Sequence, residues 1–252
     1  MNLQTDVLNT PAGQKPQVTV RGILEPKTLR SEVYFRMLFA ELGRHGGNAV
    51  ALDIGCGRGV ARQAEPIARI SEQCAVLWGV EPDTSITPCP QFSKVWQTTL
   101  EEADIPDQSV DVVFSYYVIE HIVSPREFAE KLHRILKPGG VFIAATVNSN
   151  CLFARLAGFF RKLKVDELVL RLSHGSAKTD DYHYPTAYRL NSRADYEELM
   201  SRQRWAAIEL DFLENDEWFY YFPPGFRWLG HVTRFFLRSP RFYSYLFVRM
   251  QK

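Results

Sequence analysis

Apolar residues along the chain fall first into helical spacing and then into short unbroken runs. Between Thr28 and Leu42 the positions Leu29, Val33, Tyr34, Met37, Leu38 and Leu42 recur at helical intervals, and Gly43 follows as a stop. The runs at 49–52, 75–80, 110–115 and 141–147, with a short one at 95–97, read as five strands. A glycine turn and a helical stretch to about 73 follow the first strand. A helix predicted over 125–136 ends at Lys137-Pro138-Gly139-Gly140, where proline and glycine prevent continuation. Near-continuous apolar strands alternating with helices predict a parallel sheet covered on both faces.

Past Asn148 the texture changes. Residues 151–172 read as helical and 173–192 as a polar loop rich in His, Tyr and Asp. Ser192 caps a helix running to about 203, with Asp195 at its third position. Two further strands are expected at 206–212 and 243–250. At the other end, residues 1–26 are polar and carry Pro11, Gly13, Pro16 and Pro26. They read as a flexible arm in which only 18–20 suggests order.

Composition narrows the class. A length of 252 residues suits one domain, here 27–252, with an elaboration near its C-terminal end. Lys plus Arg (30) nearly cancel Asp plus Glu (29), which argues against a globally basic nucleic-acid binder. Cys56, Cys74, Cys89 and Cys151 form no CxxC pair and have no histidine at zinc spacing, so they read as reduced thiols and no metal is expected. No basic segment leads into an apolar stretch at the start, and no run of 18 apolar residues exists. The expected location is cytoplasmic, at most peripheral to a membrane surface. Of 33 aromatic residues, 14 fall between Phe212 and Phe247.

The chemistry sits in Leu52-Asp53-Ile54-Gly55-Cys56-Gly57-Arg58-Gly59, directly after the first strand. Glycines there allow positive φ and close approach of a ligand to the backbone. Glu81 ends the second strand, placed to accept hydrogen bonds from ribose hydroxyls. Dinucleotide sites share this layout, but their fingerprint wants Gly or Ala where this chain has Val60.

Asp53 with Gly55, Gly57 and Gly59 instead resembles the first motif of class I S-adenosylmethionine (SAM) methyltransferases, E/D-x-G-x-G-x-G. Three more segments extend the resemblance over about 49–147. Ile105-Pro106-Asp107-Gln108-Ser109-Val110-Asp111-Val112-Val113 is similar to L-P-x-x-D-x-S-F-D-x-V, shortened by two residues; Val118-Ile119-Glu120-His121-Ile122 to V-L-E-H-V; and Leu136-Lys137-Pro138-Gly139-Gly140 to L-K-P-G-G. The group includes ubiquinone and menaquinone biosynthesis enzymes. The resemblance implies a Rossmann-like α/β fold: a seven-stranded, mostly parallel sheet whose last strand lies antiparallel between the fifth and sixth.

Carried over residue by residue, it implies SAM as cofactor, S-adenosylhomocysteine as product and a small-molecule acceptor. Asp53 would approach the methionine amino group, and Gly55, Cys56, Gly57 and Gly59 would line the methionine and ribose. Glu81, followed by Pro82, would take the ribose hydroxyls, and Glu101 or Glu102 would meet the adenine amino group. Ser115 and Tyr116, with Tyr117 beside them, would face the methyl group and the acceptor. Similarity around His183-Tyr184-Pro185 and Tyr188-Arg189-Leu190-Asn191 implies a substrate-side role for Tyr184 and Arg189.

Transfer to a phenol or alcohol is helped by a base, and histidine suits that work near neutrality. His121 and His183 are the candidates; each also has a plain reading, His121 as a loop stabiliser and His183 as a solvated loop residue. The stretches 151–192 and 213–241 read as a substrate cover. Within it Arg227, His231, Arg234 and Arg238 form one helical stripe opposite Trp228, Leu229, Val232, Phe235 and Phe236. Two uses stay open for 227–238: a lid packed on the protein, or a peripheral membrane contact serving a lipid-linked or quinone acceptor. Oxygen methylation of an apolar or aromatic acceptor is expected. The alternative is a non-catalytic SAM-binding or scaffold protein of the same fold; the oligomeric state is left open.

Overall fold

Eight strands form one sheet in the computed structural model, which describes residues 18–24, 27–57, 59, 64–151, 154–155, 185–202, 204–217, 228 and 239–252. In chain order the elements are β1 (Val18–Leu24), α1 (Arg30–Gly43), β2 (Ala49–Ile54), α2 (Ala64–Ser71), β3 (Cys74–Val80), β4 (Lys94–Trp96) and β5 (Val110–Tyr116). Then come α3 (Pro125–Ile135), β6 (Leu136–Val147), α4 (Arg193–Arg202), β7 (Ala207–Glu214) and β8 (Tyr245–Gln251). The sheet order is β1-β7-β8-β6-β5-β2-β3-β4. β8 lies between β6 and β7 and runs antiparallel to both, as expected for the last strand.

Successive side chains in a strand point to opposite faces, and both faces here are covered. In β5, Val113 packs toward Phe128, Leu132, Tyr196 and Trp205, while Val112 and Phe114 pack toward Tyr34, Leu38, Ile67 and Ile70. Burial on both sides is why the strands read as unbroken apolar runs. The cap expected at Ser192 is present: the Asp195 amide donates to Ser192 Oγ at 3.4 Å, and Asp195 Oδ2 in return accepts from the Ser192 and Asn191 amides at 2.8 and 2.9 Å. Of the predicted helix over 151–172 only 151 and 154–155 are described, the latter two helical, and most of the cover lies outside the described residues.

The sheet has eight strands, not seven. Residues 18–24, expected to belong to a loose arm, form β1, which pairs parallel with β7 from Val18 opposite Ile208 to Leu24 opposite Glu214. Arg21 locks the pair by a two-pronged bond to Asp211 (2.7 and 2.9 Å). Gly22 lets Pro240 approach; a Cβ there would lie 2.5 Å from the Pro240 ring. Across the sheet Arg249 bonds Glu209 at 2.9 Å and Glu41 at 3.2 Å, fastening α1 to β7 and β8. Among the described residues no helix is long and apolar enough to cross a membrane.

From β2 the chain builds outward to β3 and β4, then returns to add β5 on the other side of β2. This reversal leaves a crevice beyond the carboxyl ends of β2 and β5, where open α/β sheets take their ligands.

Candidate active site

The turn after β2 requires its glycines. Gly55, Gly57 and Gly59 all have positive φ, at 71°, 43° and 101°. The Gly55 and Cys56 amides both donate to Val80 O, at 2.8 and 3.1 Å, so the turn is tied across the end of β3. Beneath it the Cys56 side chain is buried against Gly79, and burial pushes its thiol pKa up. A Cβ at Gly79 would lie 2.6 Å from Cys56 Sγ and 3.2 Å from Phe92. Gly79→Ala is therefore expected to lower stability by about 1–3 kcal/mol through overpacking, measured by urea unfolding.

Glu81 is buried at the end of β3 and bridges two loops. Its Oε2 accepts from the Gly57 amide at 2.9 Å and its Oε1 from the Asp83 amide at 3.0 Å. An ionised carboxylate has about four acceptor positions, so each oxygen keeps capacity for a ligand hydroxyl. Asp53, 2% exposed, lies at the end of β2 with its Oδ2 unpartnered among the described residues. Burial, then the charge of Glu81, raises its pKa well above the usual carboxylate range. The Tyr34, Ser115 and Tyr117 hydroxyls are likewise buried without a partner among the described residues. A buried unsatisfied polar atom costs about 1–3 kcal/mol, so this cluster fits a polar ligand. An acceptor carboxylate at Asp53, two-pronged capacity at Glu81 and a glycine cradle suit an ammonium group and a vicinal diol on one molecule.

Beside this cluster lies a cavity of about 240 Å³, lined in part by Arg30, Phe35, Phe39, Arg69, Tyr116 and Glu217. The Phe35 and Tyr116 rings are nearly parallel (12°), and Tyr116 meets Tyr117 edge-on at 4.7 Å. The Arg30 guanidinium lies 5.0 Å from both the Tyr117 and Tyr245 rings and donates to Tyr245 Oη at 3.0 Å. Glu217 Oε2 accepts from the Arg30 amide at 2.8 Å, capping α1 from a distant loop. Tyr117 has φ 57°, a strained conformation for a bulky residue.

The structure thus gathers Asp53, Gly55, Gly57, Gly59, Glu81, Ser115, Tyr116 and Tyr117 at one end of the sheet. Pro82 is exposed; Glu101 is half-buried, and the exposed Glu102 accepts from Thr98 Oγ1 at 2.7 Å. His121 sits in the short turn after β5, its Nδ1 3.2 Å from Pro185 O, and is not among the residues lining the cavity. Arg189 donates to Val123 O at 2.8 Å. His183, Tyr184 and the arginine stripe of 227–238 lie outside the described residues; of 227–238 only Trp228, expected opposite that stripe, is described, 58% exposed. Arg30, Tyr34, Phe35, Glu217 and Tyr245 were missed by the sequence reading. Tyr34 belongs to the apolar spacing of α1 and so reads as helix packing, while Arg30 and Phe35 lie outside that spacing and outside any motif.

A glycine turn and acidic residues at the ends of β2 and β3, beneath a sheet closed by an antiparallel β8, define a Rossmann-like class I methyltransferase fold. Residues 52–144 match the family model described as a methyltransferase domain. The chain is 32% identical over 112 residues to a ubiquinone biosynthesis O-methyltransferase of Bradyrhizobium diazoefficiens (41% of this chain, 42% of that one). It is 35% identical over 107 residues to the enzyme of that name from Rhodopseudomonas palustris (39% and 40%). These matches span about two fifths of the length of those relatives. A SAM-dependent methyltransferase structure from Archaeoglobus fulgidus shares the fold with a TM-score of 0.53 at 15% identity, covering 88% of this chain and 97% of that one. Residues 52–144 therefore match a methyltransferase domain, within a chain that has the fold of that structure.

Proposed function

We propose that this protein transfers a methyl group from SAM to an oxygen of a small apolar or aromatic acceptor. The observation that carries the reading is the pairing of Asp53, with its buried unpartnered oxygen, and Glu81, with two oxygens held by loop amides. When bound, SAM supplies a methyl group already activated on a sulfonium. The protein's task is then to hold the acceptor in line and exclude water, and positioning of this kind supplies roughly 7–11 kcal/mol in favourable cases.

Asp53 takes the methionine ammonium and Glu81 the ribose hydroxyls. Phe35, Phe39 and Tyr116 present ring faces and edges to an aromatic acceptor. His121, in the turn after β5 with its Nδ1 3.2 Å from Pro185 O, is the residue to which we assign the proton-acceptor role. The names of the two relatives given above, ubiquinone biosynthesis O-methyltransferases, support oxygen as the methylated atom and a quinone-related acceptor.

Calorimetry with S-adenosylhomocysteine and a product-release assay over a panel of catechols, hydroquinones and alcohols test the proposal. Binding and turnover are expected, with His121→Gln lowering kcat and leaving S-adenosylhomocysteine affinity unchanged. Failure of the native chain to bind would overturn the cofactor assignment. Binding with no turnover on any acceptor would overturn the catalytic one.

A further inference from the structure

Glu120 is a charged residue in the interior, 6% exposed, in the turn that follows β5. Its Oε2 accepts from the Thr146 hydroxyl of β6 at 2.8 Å. Thr146 in turn accepts from Asn191 Nδ2 at 2.7 Å, and the same amide donates to Val147 O at 2.8 Å. Each donor points toward the carboxylate, so the three groups form one directed chain of hydrogen bonds.

The main chain of Glu120 engages the same distant segment. Its carbonyl accepts from the Ala187 amide at 2.7 Å and the Tyr188 amide at 3.0 Å. On either side, Pro185 O lies 3.2 Å from His121 Nδ1, and Arg189 bonds Val123 O at 2.8 Å. Ser149, just past β6, donates its amide to Asn191 O at 2.9 Å. Residues 185–191 are therefore fastened at one end to the turn carrying His121 and at the other to the end of β6. Glu120 is the residue common to both fastenings. Such a long-range polar clamp is more than the fold needs, because α4, which follows, carries its own cap at Ser192 and Asp195.

We infer that Glu120 is a positioning residue whose buried carboxylate, through Thr146 and Asn191, sets the acceptor-side segment 185–191 against the turn that carries Tyr117 and His121. Its part in transfer rests on the function proposed above; the clamp itself does not. The role is geometric and needs an acceptor oxygen at this point, so Gln serves in place of Glu and Ala does not.

The test uses the full chain with Glu120→Ala, Glu120→Gln and Thr146→Val. Hydrogen exchange by mass spectrometry is expected to show amides in 185–191 exchanging about tenfold faster in Glu120→Ala and Thr146→Val, as for one lost hydrogen bond, with Glu120→Gln near wild type. In turnover, kcat falls about tenfold for the first two while S-adenosylhomocysteine affinity is kept, a smaller loss than gross misplacement brings. Unchanged exchange at 185–191 in Thr146→Val, or Gln no better than Ala, overturns the inference. Thr146→Val decides the matter if Glu120→Ala fails to fold. If the native chain neither binds S-adenosylhomocysteine nor turns over, the proposed function fails, while the exchange result still judges the clamp.

Discussion

Glu81→Ala is expected to weaken S-adenosylhomocysteine binding by about 10²–10⁴-fold. Hydrogen bonds to a charged group contribute about 1.5–3 kcal/mol each, and two ribose hydroxyls meeting one carboxylate lose about 3–6 kcal/mol together. A second loss adds to this. Glu81 joins the Gly57 and Asp83 amides, so its removal also loosens the glycine turn that cradles the ligand. Glu81→Gln is expected to fall between wild type and alanine, because its amide group would face an N–H donor where a second acceptor is needed. Titration calorimetry on the three proteins measures this. Equal affinity in wild type and Glu81→Ala would remove Glu81 from the site and with it the orientation of the ligand.

The part of the site that sequence reading recovered is the part written in consecutive residues. Asp53, the three glycines and Glu81 lie on β2, β3 and the turns that leave them, and a buried strand followed by a glycine turn leaves a local signature. The acceptor side has no such signature. Its cavity joins Phe35 of α1, Tyr116 of β5 and Glu217 beyond β7, segments brought together only by the sheet order. β1 was illegible for a related reason: Arg21 and Gly22 break its apolar run, and their partners Asp211 and Pro240 lie about two hundred residues away. The aromatic excess changes meaning too. Phe212, Tyr245 and Phe247, at the two ends of the aromatic cluster, are core side chains of β7 and β8, the strands expected at 206–212 and 243–250. Tyr245 also carries the Arg30 guanidinium over its ring at 5.0 Å.

Asp53→Asn is expected to stabilise the ligand-free protein at neutral pH and to weaken the ligand-bound one. Burial and the neighbouring Glu81 charge raise the Asp53 pKa above its unfolded value. Between those two values the native state binds more protons than the unfolded state, so this residue's contribution to stability falls as pH rises. Below the unfolded pKa the penalty is absent; above the folded pKa it is complete. A neutral amide removes it, along with the demand of a buried unsatisfied carboxylate oxygen, an effect of about 1–3 kcal/mol. For a chain of this length each kcal/mol moves Tm by about 2–4 °C. The advantage of the variant should shrink as pH is lowered into the ordinary carboxylate range. Ligand works against the variant: loss of a charge-assisted bond to the ammonium weakens S-adenosylhomocysteine binding by about 10–10²-fold. At ligand concentrations far above both Kd values, wild type gains about 1.4–2.7 kcal/mol more from binding, so the Tm advantage of the variant narrows or disappears. Thermal scans with and without S-adenosylhomocysteine across pH read both halves at once. A variant less stable than wild type without ligand, and equal to it in affinity, would show that Asp53 holds the fold and leaves the ligand to other groups.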